Sequence, residues 1–274
     1  MQQINDWLQS ATKQLKASHI DSASLDADLI LCHVMGKTRS YLRSHSNDRL
    51  SYLKMIKADV LLNRRKKRVP IAYITHQKEF FGRNFSVNKH TLIPRPESED
   101  IIEILNKILP NSTFHLPTSN LLDIGTGSGC LGITAKLEFP EINVTLSDIS
   151  PRALKVASKN AKKLSADITV QRSDLLDSIT TTPNIILANL PYVDRSWQTS
   201  PEIDYEPHSA LFASDGGKEL IQKLILQAST VQNKNDIIVF EADPEQHEDL
   251  IQFAKDFNYI STTKNGYAVL LTKN

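Results

Sequence analysis

Cysteine is scarce in this chain: Cys32 and Cys130 are the two in 274 residues, and neither has a second Cys or a His at ligand spacing. That argues against a disulfide framework and a sequence-readable zinc site, and it suits a reducing compartment. The eight histidines are scattered singly and read as surface or satisfied core residues. An excess of one charge is missing as well. With a formal net charge of +1, any call for nucleic acid or an anionic membrane has to come from a local patch. No stretch approaches the roughly eighteen consecutive apolar residues of a spanning helix, and "MQQINDWLQSATKQLKA" carries no apolar signal core. A cytoplasmic protein is expected. Glycine is also sparse, nine in all, which makes their placement informative.

Hydrophobic residues make up 40% and charged residues 23% of the chain, enough for one large domain and one small one. Residues 1 to about 80 read as helical. Ile4, Leu8, Thr12 and Leu15 recur near helical spacing. "DSASLDADLILCHVMGK" offers Asp21 or Ser24 as caps and an apolar face through Leu25, Leu29, Cys32 and Val34, closing at Gly36. A further helical stretch is stopped by Pro70, so a small bundle is expected. "EFFGRNFSVNKHTLI" then alternates like a β-hairpin turning at Asn88 and Lys89. "PRPESEDIIEILNKIL" opens a helix, and Pro110 to Asn120 reads as a loop. From there strands ("NLLDI", "NVTLSD", "ITVQRSD", "NIILANL", "DIIVFEA") alternate with helices, and "YISTTKNGYAVLLTK" closes the chain as a hairpin at Asn265-Gly266. Parallel strands with crossover helices and a terminal antiparallel pair make an α/β, doubly wound sheet.

Four of the nine glycines lie in "LLDIGTGSGCLG": Gly125, Gly127, Gly129 and Gly132. Alternating glycines at a strand-to-helix turn imply that backbone must approach something closely. The dinucleotide fingerprint needs glycine where Cys130 stands, and a P-loop needs Gly-Lys-Ser/Thr. The next strand ends in Asp148, where a carboxylate can accept bonds from both ribose hydroxyls. Capping of the following helix falls to Ser150, ahead of Pro151. The glycine loop resembles the cofactor loop of S-adenosylmethionine-dependent methyltransferases of the Rossmann-like class. That resemblance implies that Asp174, ending the third strand, sits near the adenine amino group with Leu175 as an apolar cover for the ring; a capped turn over Leu175 to Ser178 explains Asp174 nearly as well.

The fourth strand delivers Asn189-Leu190-Pro191-Tyr192 to the same sheet edge. An Asn side-chain oxygen and the next backbone carbonyl can accept both N–H bonds of a planar NH2, and Tyr192 can stack on the flat group. That geometry selects an amide or an exocyclic amine without choosing between them.

Taken together, the glycine loop, the helical N-terminal part, "NRRKKRVPIAYITHQKEFFG", "TLIPRPESE", "NLPYV" and "DYEPHSALFASDGG" resemble the peptide chain release factor glutamine methyltransferase family, also called PrmC or HemK. The resemblance implies a Rossmann-like class I methyltransferase with a seven-stranded sheet, preceded by a helical bundle. The expected parts are a substrate-docking domain over 1–82, a hairpin linker over 83–95 and a methyltransferase domain over 96–274. It implies transfer from S-adenosyl-L-methionine to the side-chain amide of the glutamine in the Gly-Gly-Gln loop of class 1 release factors. The expected cofactor set is Gly125, Thr126, Gly127, Ser128, Gly129, Asp148, Ile149, Asp174, Leu175 and Asn189. The expected substrate set is Asn189, Leu190, Pro191, Tyr192 and Arg95, with Asn189 and Tyr192 catalytic. A monomer is expected, with no metal, membrane or direct nucleic-acid contact.

Three residues depart from the family pattern. Leu190 replaces the first Pro of Asn-Pro-Pro-Tyr, His76 stands where Gly is usual, and Leu175 stands where an aromatic is usual. Asn-Leu-Pro-Tyr also resembles ribosomal RNA adenine dimethyltransferases, but those place a helical domain after the catalytic one. The run Arg64 to Arg68 reads first as a solvated helix end and next as a contact for a release factor or its ribosomal context, with an RNA contact as a further alternative. A glutamine of a ribosomal protein is another possible target, and a cofactor-binding protein that only docks a partner is the reading from a different class.

Overall fold

A computed structural model describes residues 2–111 and 118–274; the middle of the Pro110 to Asn120 loop lies outside the described residues. Contacts divide the chain into two units, Met1–Gln77 with Ser200–Tyr205, and Lys78–Thr199 with Glu206–Asn274. The first unit therefore ends at Gln77 rather than at 82, and it takes in a six-residue segment from far down the chain.

The first unit is built from α1 (Ile4–Ala17), α2 (Ala23–Met35), α3 (Arg39–Ser44), α4 (Tyr52–Lys66) and α5 (Ile71–Thr75). Its core gathers Ile4, Trp7, Leu8 and Leu15 from α1 with Ala27, Ile30 and Leu31 from α2 and Leu62 from α4. The face expected for α2 is corrected here: Leu25 is 43% exposed, while Asp26 and Asp28 are buried. Buried carboxylates require partners, and both have them. Asp28 accepts from Arg39 and Arg43, and Asp26 accepts from Arg65 at 2.6 Å. Ser22 is the residue preceding α2, in place of Asp21 or Ser24, and its hydroxyl donates to Asp26.

The Arg64 to Arg68 run is accordingly not a simple solvated helix end. Arg65 is buried and also donates to Glu202 at 3.0 Å. Arg68 pairs with Glu202 and donates to the His19 carbonyl, and Tyr205 donates to the Lys67 carbonyl at 2.6 Å. These contacts hold the Ser200–Tyr205 segment within the unit. His76 caps α5 at φ +60°, a left-handed conformation that glycine adopts most readily.

The second unit begins at Lys78, within β1 (Gln77–Phe80), which forms a hairpin with β2 (Arg83–Ser86). Its turn lies at Phe81 and Gly82, not at Asn88 and Lys89, because those two residues take φ of +49° and +71°, the pair of positive angles that a tight hairpin turn demands. A short 3-10 turn over Pro96–Ser98 leads into α6 (Glu99–Ile108).

The main sheet contains β3 (Asn120–Ile124), β4 (Asn143–Asp148), β5 (Thr169–Arg172), β6 (Ile185–Ala188), β7 (Ile237–Glu241), β8 (Tyr259–Asn265) and β9 (Ala268–Lys273), in the order β5-β4-β3-β6-β7-β9-β8. β3 to β7 run parallel, and β9 is antiparallel to both β7 and β8. The crossovers carry α7 (Cys130–Glu138), α8 (Pro151–Leu164) and α9 (Glu219–Val231), and α10 (His247–Lys255) leads into the terminal hairpin. Each face of the sheet buries its own apolar cluster, so the central strands are apolar on both sides, as parallel strands covered by helices must be. Strand order reverses between β3 and β6, and the crevice beyond their carboxyl ends is where such a sheet binds ligands.

Candidate active site

The carboxyl end of β3 runs into a loop whose backbone glycine adopts most readily: Gly125, Gly127 and Gly129 take φ of +66°, +55° and +82°. Their surroundings differ. A Cβ on Gly129 would sit 2.6 Å from Ile133 Cδ1, and one on Gly132 would sit 2.3 Å from Leu146 Cδ2, so these two glycines let α7 close on the sheet. A Cβ on Gly127 would meet nothing nearer than 3.9 Å. Gly127 lines the open cavity, and its backbone is what a bound molecule would meet.

Three side chains hold the loop. Asp123 is buried and accepts from Thr126 Oγ1 at 2.5 Å and from the Gly132 N–H at 2.9 Å. Burial pushes its carboxyl up to about 7, against the pull of those two bonds. Asn160, on α8, donates to the Ser128 and Ser86 carbonyls at 2.8 and 2.9 Å, tying loop to hairpin. Asp148 accepts from the Gly127 N–H at 3.0 Å through one oxygen and from the Ser150 N–H at 2.8 Å through the other. Burial raises the Asp148 pKa, and the two backbone bonds oppose the rise. Ser150 caps α8 by accepting from the Ala153 N–H, as expected.

The loop opens on a cavity of about 580 Å³, within the range of small-molecule sites. The structure brings to it nine of the ten residues expected around the cofactor, Gly125 to Ser128, Asp148, Ile149, Asp174, Leu175 and Asn189, together with Leu190 and Pro191; Gly129, packed against Ile133 and Leu146, is not among the residues lining it. Leu175 holds φ +46° and is buried. Asp174 shares its carboxylate with Lys223 at 3.4 Å on the exposed rim.

Two residues expected to bind substrate are also placed differently. Tyr192 and Arg95 are not among the residues lining this cavity. The Tyr192 hydroxyl donates to Glu241 at 2.9 Å, and burial, followed by the neighbouring Glu241 charge, holds its pKa above the usual phenol range. Arg95 donates at 2.5 Å to Glu206, a buried carboxylate that also accepts the Ile93 N–H at 3.0 Å. Arg95 is thereby committed to shaping the segment that carries Pro94 and Ser98 to the cavity wall.

Asn189 leaves β6 at the cavity. Its Nδ2 donates to Ser98 Oγ and to Glu241 Oε2, both at 2.8 Å. Glu241 ends β7 and is 1% exposed; burial pushes its pKa up, and bonds from Ser98, Tyr192 and Asn189 pull against that. Ser98 and Glu241 were not expected from the sequence. The signal for Glu241 was present in "DIIVFEA": an acid closing an otherwise apolar strand, on the edge that carries Asp148 and Asn189. Leu190 is 4% exposed and belongs to the apolar cluster; a Cβ on Gly125 would come within 2.9 Å of its Cδ2.

A glycine loop at the switch point, an acid ending the second strand and an Asn-Leu-Pro-Tyr exit from the fourth define an S-adenosylmethionine-dependent methyltransferase. Residues 6–75 match the family described as PrmC N-terminal domain, and residues 99–205 match Methyltransferase small domain. A release factor glutamine methyltransferase of Koribacter versatilis is 37% identical over 223 residues, which cover 80% of this chain and 78% of that one. One from Leptospira interrogans is 38% identical over 229 residues, with 81% and 79% covered. Among solved structures, a methyltransferase from Pyrococcus furiosus superposes with a TM-score of 0.54 at 16% identity, covering 79% of this chain and 98% of that one, a likeness of fold. The chain belongs to the release factor glutamine methyltransferase family.

Proposed function

We propose that this protein methylates the side-chain amide nitrogen of the glutamine in the Gly-Gly-Gln loop of class 1 peptide chain release factors. The observation that carries the reading is Asn189: its two N–H bonds are taken by Ser98 and Glu241, which leaves Oδ1 as an acceptor at the cavity. The cavity suits S-adenosylmethionine, since a glycine with open space above its Cα and the Asp148 carboxylate face it together. When bound, that cofactor supplies an activated methyl group.

The work left to the chain is alignment and charge stabilisation. Asn189 Oδ1 and the Leu190 carbonyl accept the two N–H bonds of a planar amide and aim the nitrogen's remaining direction into the cavity. They also hold the positive charge that develops on that nitrogen. Removing one such preorganised partner costs on the order of 2.7–4 kcal/mol. Asn189→Ala should therefore lower kcat about 100- to 1,000-fold while cofactor binding stays near wild type; equal loss of both would show the residue to be misassigned. Only the carbonyl of residue 190 is used, which is why Leu can stand there. Gly127 and Asp148 hold the cofactor, and Leu175 covers its adenine. The helical unit over residues 1–77 docks the release factor, and a single copy of the chain suffices.

Family membership favours a protein amide over adenine, although the tetrapeptide alone admits both. The test is to incubate the protein with labelled cofactor and, separately, a class 1 release factor, ribosomal proteins and ribosomal RNA. Label on the release factor glutamine is the expected result. Label in RNA alone, or in a ribosomal protein alone, would overturn it.

A further inference from the structure

Glu241 is the least expected group in the site. It is an acid in an apolar strand, 1% exposed, lying between two members of the tetrapeptide. One of its oxygens accepts from Tyr192 Oη at 2.9 Å and the other from Asn189 Nδ2 at 2.8 Å. Ser98 completes a closed triangle, accepting the second Asn189 N–H at 2.8 Å and bonding to Glu241 itself. No cation pairs with Glu241 within salt-bridge distance among the described residues, so three neutral donors hold the carboxylate. A stability role alone does not account for this, because an isolated acid is costly to bury and an apolar residue would fill the position more cheaply.

What a carboxylate does here that no apolar residue can do is settle a two-fold ambiguity. An Asn amide presents NH2 on one edge and oxygen on the other, and the two edges are nearly the same size. Facing a group that only accepts, Asn189 has to turn its NH2 inward and its oxygen outward. Facing a donor, it would turn round and offer NH2 to the substrate.

We infer that Glu241 is a positioning residue that sets the hydrogen-bond polarity of the site, fixing Asn189 with its oxygen toward the substrate so that the enzyme accepts an NH2 group and rejects a carboxylate. Ser98 assists by taking the second N–H. This deepens the function proposed above and rests on it. It makes Glu241 the determinant by which a Gly-Gly-Gln loop is distinguished from a Gly-Gly-Glu loop, since a glutamate carboxylate would meet Asn189 Oδ1 oxygen to oxygen.

Exchange of the two side chains provides the test. Glu241→Gln is nearly isosteric but brings a donor, and it leaves Asn189 without a defined orientation. Asn189→Asp brings a second carboxylate against Glu241. In the double variant Asn189→Asp/Glu241→Gln, the amide and the carboxylate have changed places: residue 241 donates inward, and residue 189 still presents an oxygen to the substrate. On the full-length protein, each single variant should lose about 100-fold in kcat while KM for the release factor changes by less than about threefold, and the double variant should recover at least about tenfold over either single. Urea unfolding midpoints close to wild type establish that all three are folded, and the cofactor dissociation constant of Glu241→Gln, at a residue that does not line the cavity, should stay within about threefold of wild type. A release factor carrying Glu in place of the loop glutamine supplies a binding readout. It should compete poorly with wild type, and better with Glu241→Gln, where Asn189 is free to turn its NH2 outward.

Two results would overturn the inference: a Glu241→Gln variant with wild-type kcat, or a double variant no more active than the singles. A Glu241→Gln variant that loses cofactor binding would do the same, because the carboxylate would then be holding the fold and not the amide. Failure of the underlying function is visible separately, as absence of label on the release factor with the wild-type protein before any variant is made.

Discussion

Asp148→Ala should cost cofactor affinity more than it costs the fold. The carboxylate ends β4, with one oxygen on the Gly127 N–H at 3.0 Å and the other on the Ser150 N–H at 2.8 Å. Each oxygen keeps a further lone pair, and the residue lines the cavity. Hydrogen bonds to a charged acceptor contribute about 1.5–3 kcal/mol, and partial exposure places these near the lower end. Two bonds to ribose hydroxyls at that end amount to about 3 kcal/mol, a rise in cofactor dissociation constant of about 100-fold. Loss of the two backbone bonds loosens the glycine loop, and unfolding free energy should fall by about 2 kcal/mol. Calorimetric titration with the cofactor and its methyl-free product reads the first quantity, and urea unfolding reads the second. Asp148→Asn keeps one acceptor and should lie between. Because burial holds the Asp148 pKa above the usual carboxylate value, lowering the pH through it should weaken cofactor binding in the wild type but not in Asp148→Ala. A variant that binds cofactor as tightly as wild type, with the stability loss intact, would show that Asp148 only braces the loop.

Other consequences follow from single contacts. Leu190→Pro restores the usual family residue but deletes a side chain buried against the loop; it should lose about 1–3 kcal/mol of stability while kcat on the release factor is retained, and a stable but inactive variant would refute the carbonyl role. Gly217→Ala would place a Cβ 1.9 Å from the Tyr192 carbonyl and 2.4 Å from Gln246 Nε2 at φ +85°, so an unfolding free energy lower by more than about 3 kcal/mol is expected; an unchanged denaturation midpoint would contradict it. Asp123, raised from 3.8 to about 7 by burial, binds its proton more tightly folded than unfolded. Its contribution to stability is therefore full below the lower value and is lost as pH rises through about 7. Urea midpoints for wild type should fall over that window relative to Asp123→Asn, by an amount on the order of 4 kcal/mol in free energy; parallel pH profiles would refute the shift.

Much of the fold could be read from local pattern because its causes are local. Alternation of apolar strands with helices, the Ser150-Pro151 cap and the Gly36 stop each depend on residues within a few positions of one another; the terminal hairpin was likewise legible, although its turn falls at Gly266 and Tyr267, one residue beyond the expected Asn265-Gly266, because Asn265 still pairs with Ala268. Where a local pattern is ambiguous, distant residues decide the structure. The hairpin turn went to Asn88 and Lys89 because Phe81 is an unusual residue for positive φ. The buried face of α2 is not legible locally, because Asp26 and Asp28 count as polar until Arg65, Arg39 and Arg43 arrive from other helices. His76 stood out only as a departure until its left-handed φ explained why glycine is usual there.

The site divides along the same line. Sequence alone determined the glycine loop, Asp148 and the Asn-Leu-Pro-Tyr exit, since each is a contiguous run whose chemistry follows from its own spacing. Tertiary structure alone decided which way those groups face. Asn189 meets Ser98 across 91 residues and Glu241 across 52, and Glu206 reaches Ile93 across 113. The orientation of an amide is set by what faces it, and nothing within Asn189's own neighbourhood in the chain faces it. An acid in an apolar strand is an anomaly in one dimension; folded beside Asn189, Ser98 and Tyr192, it becomes the acceptor that turns the amide.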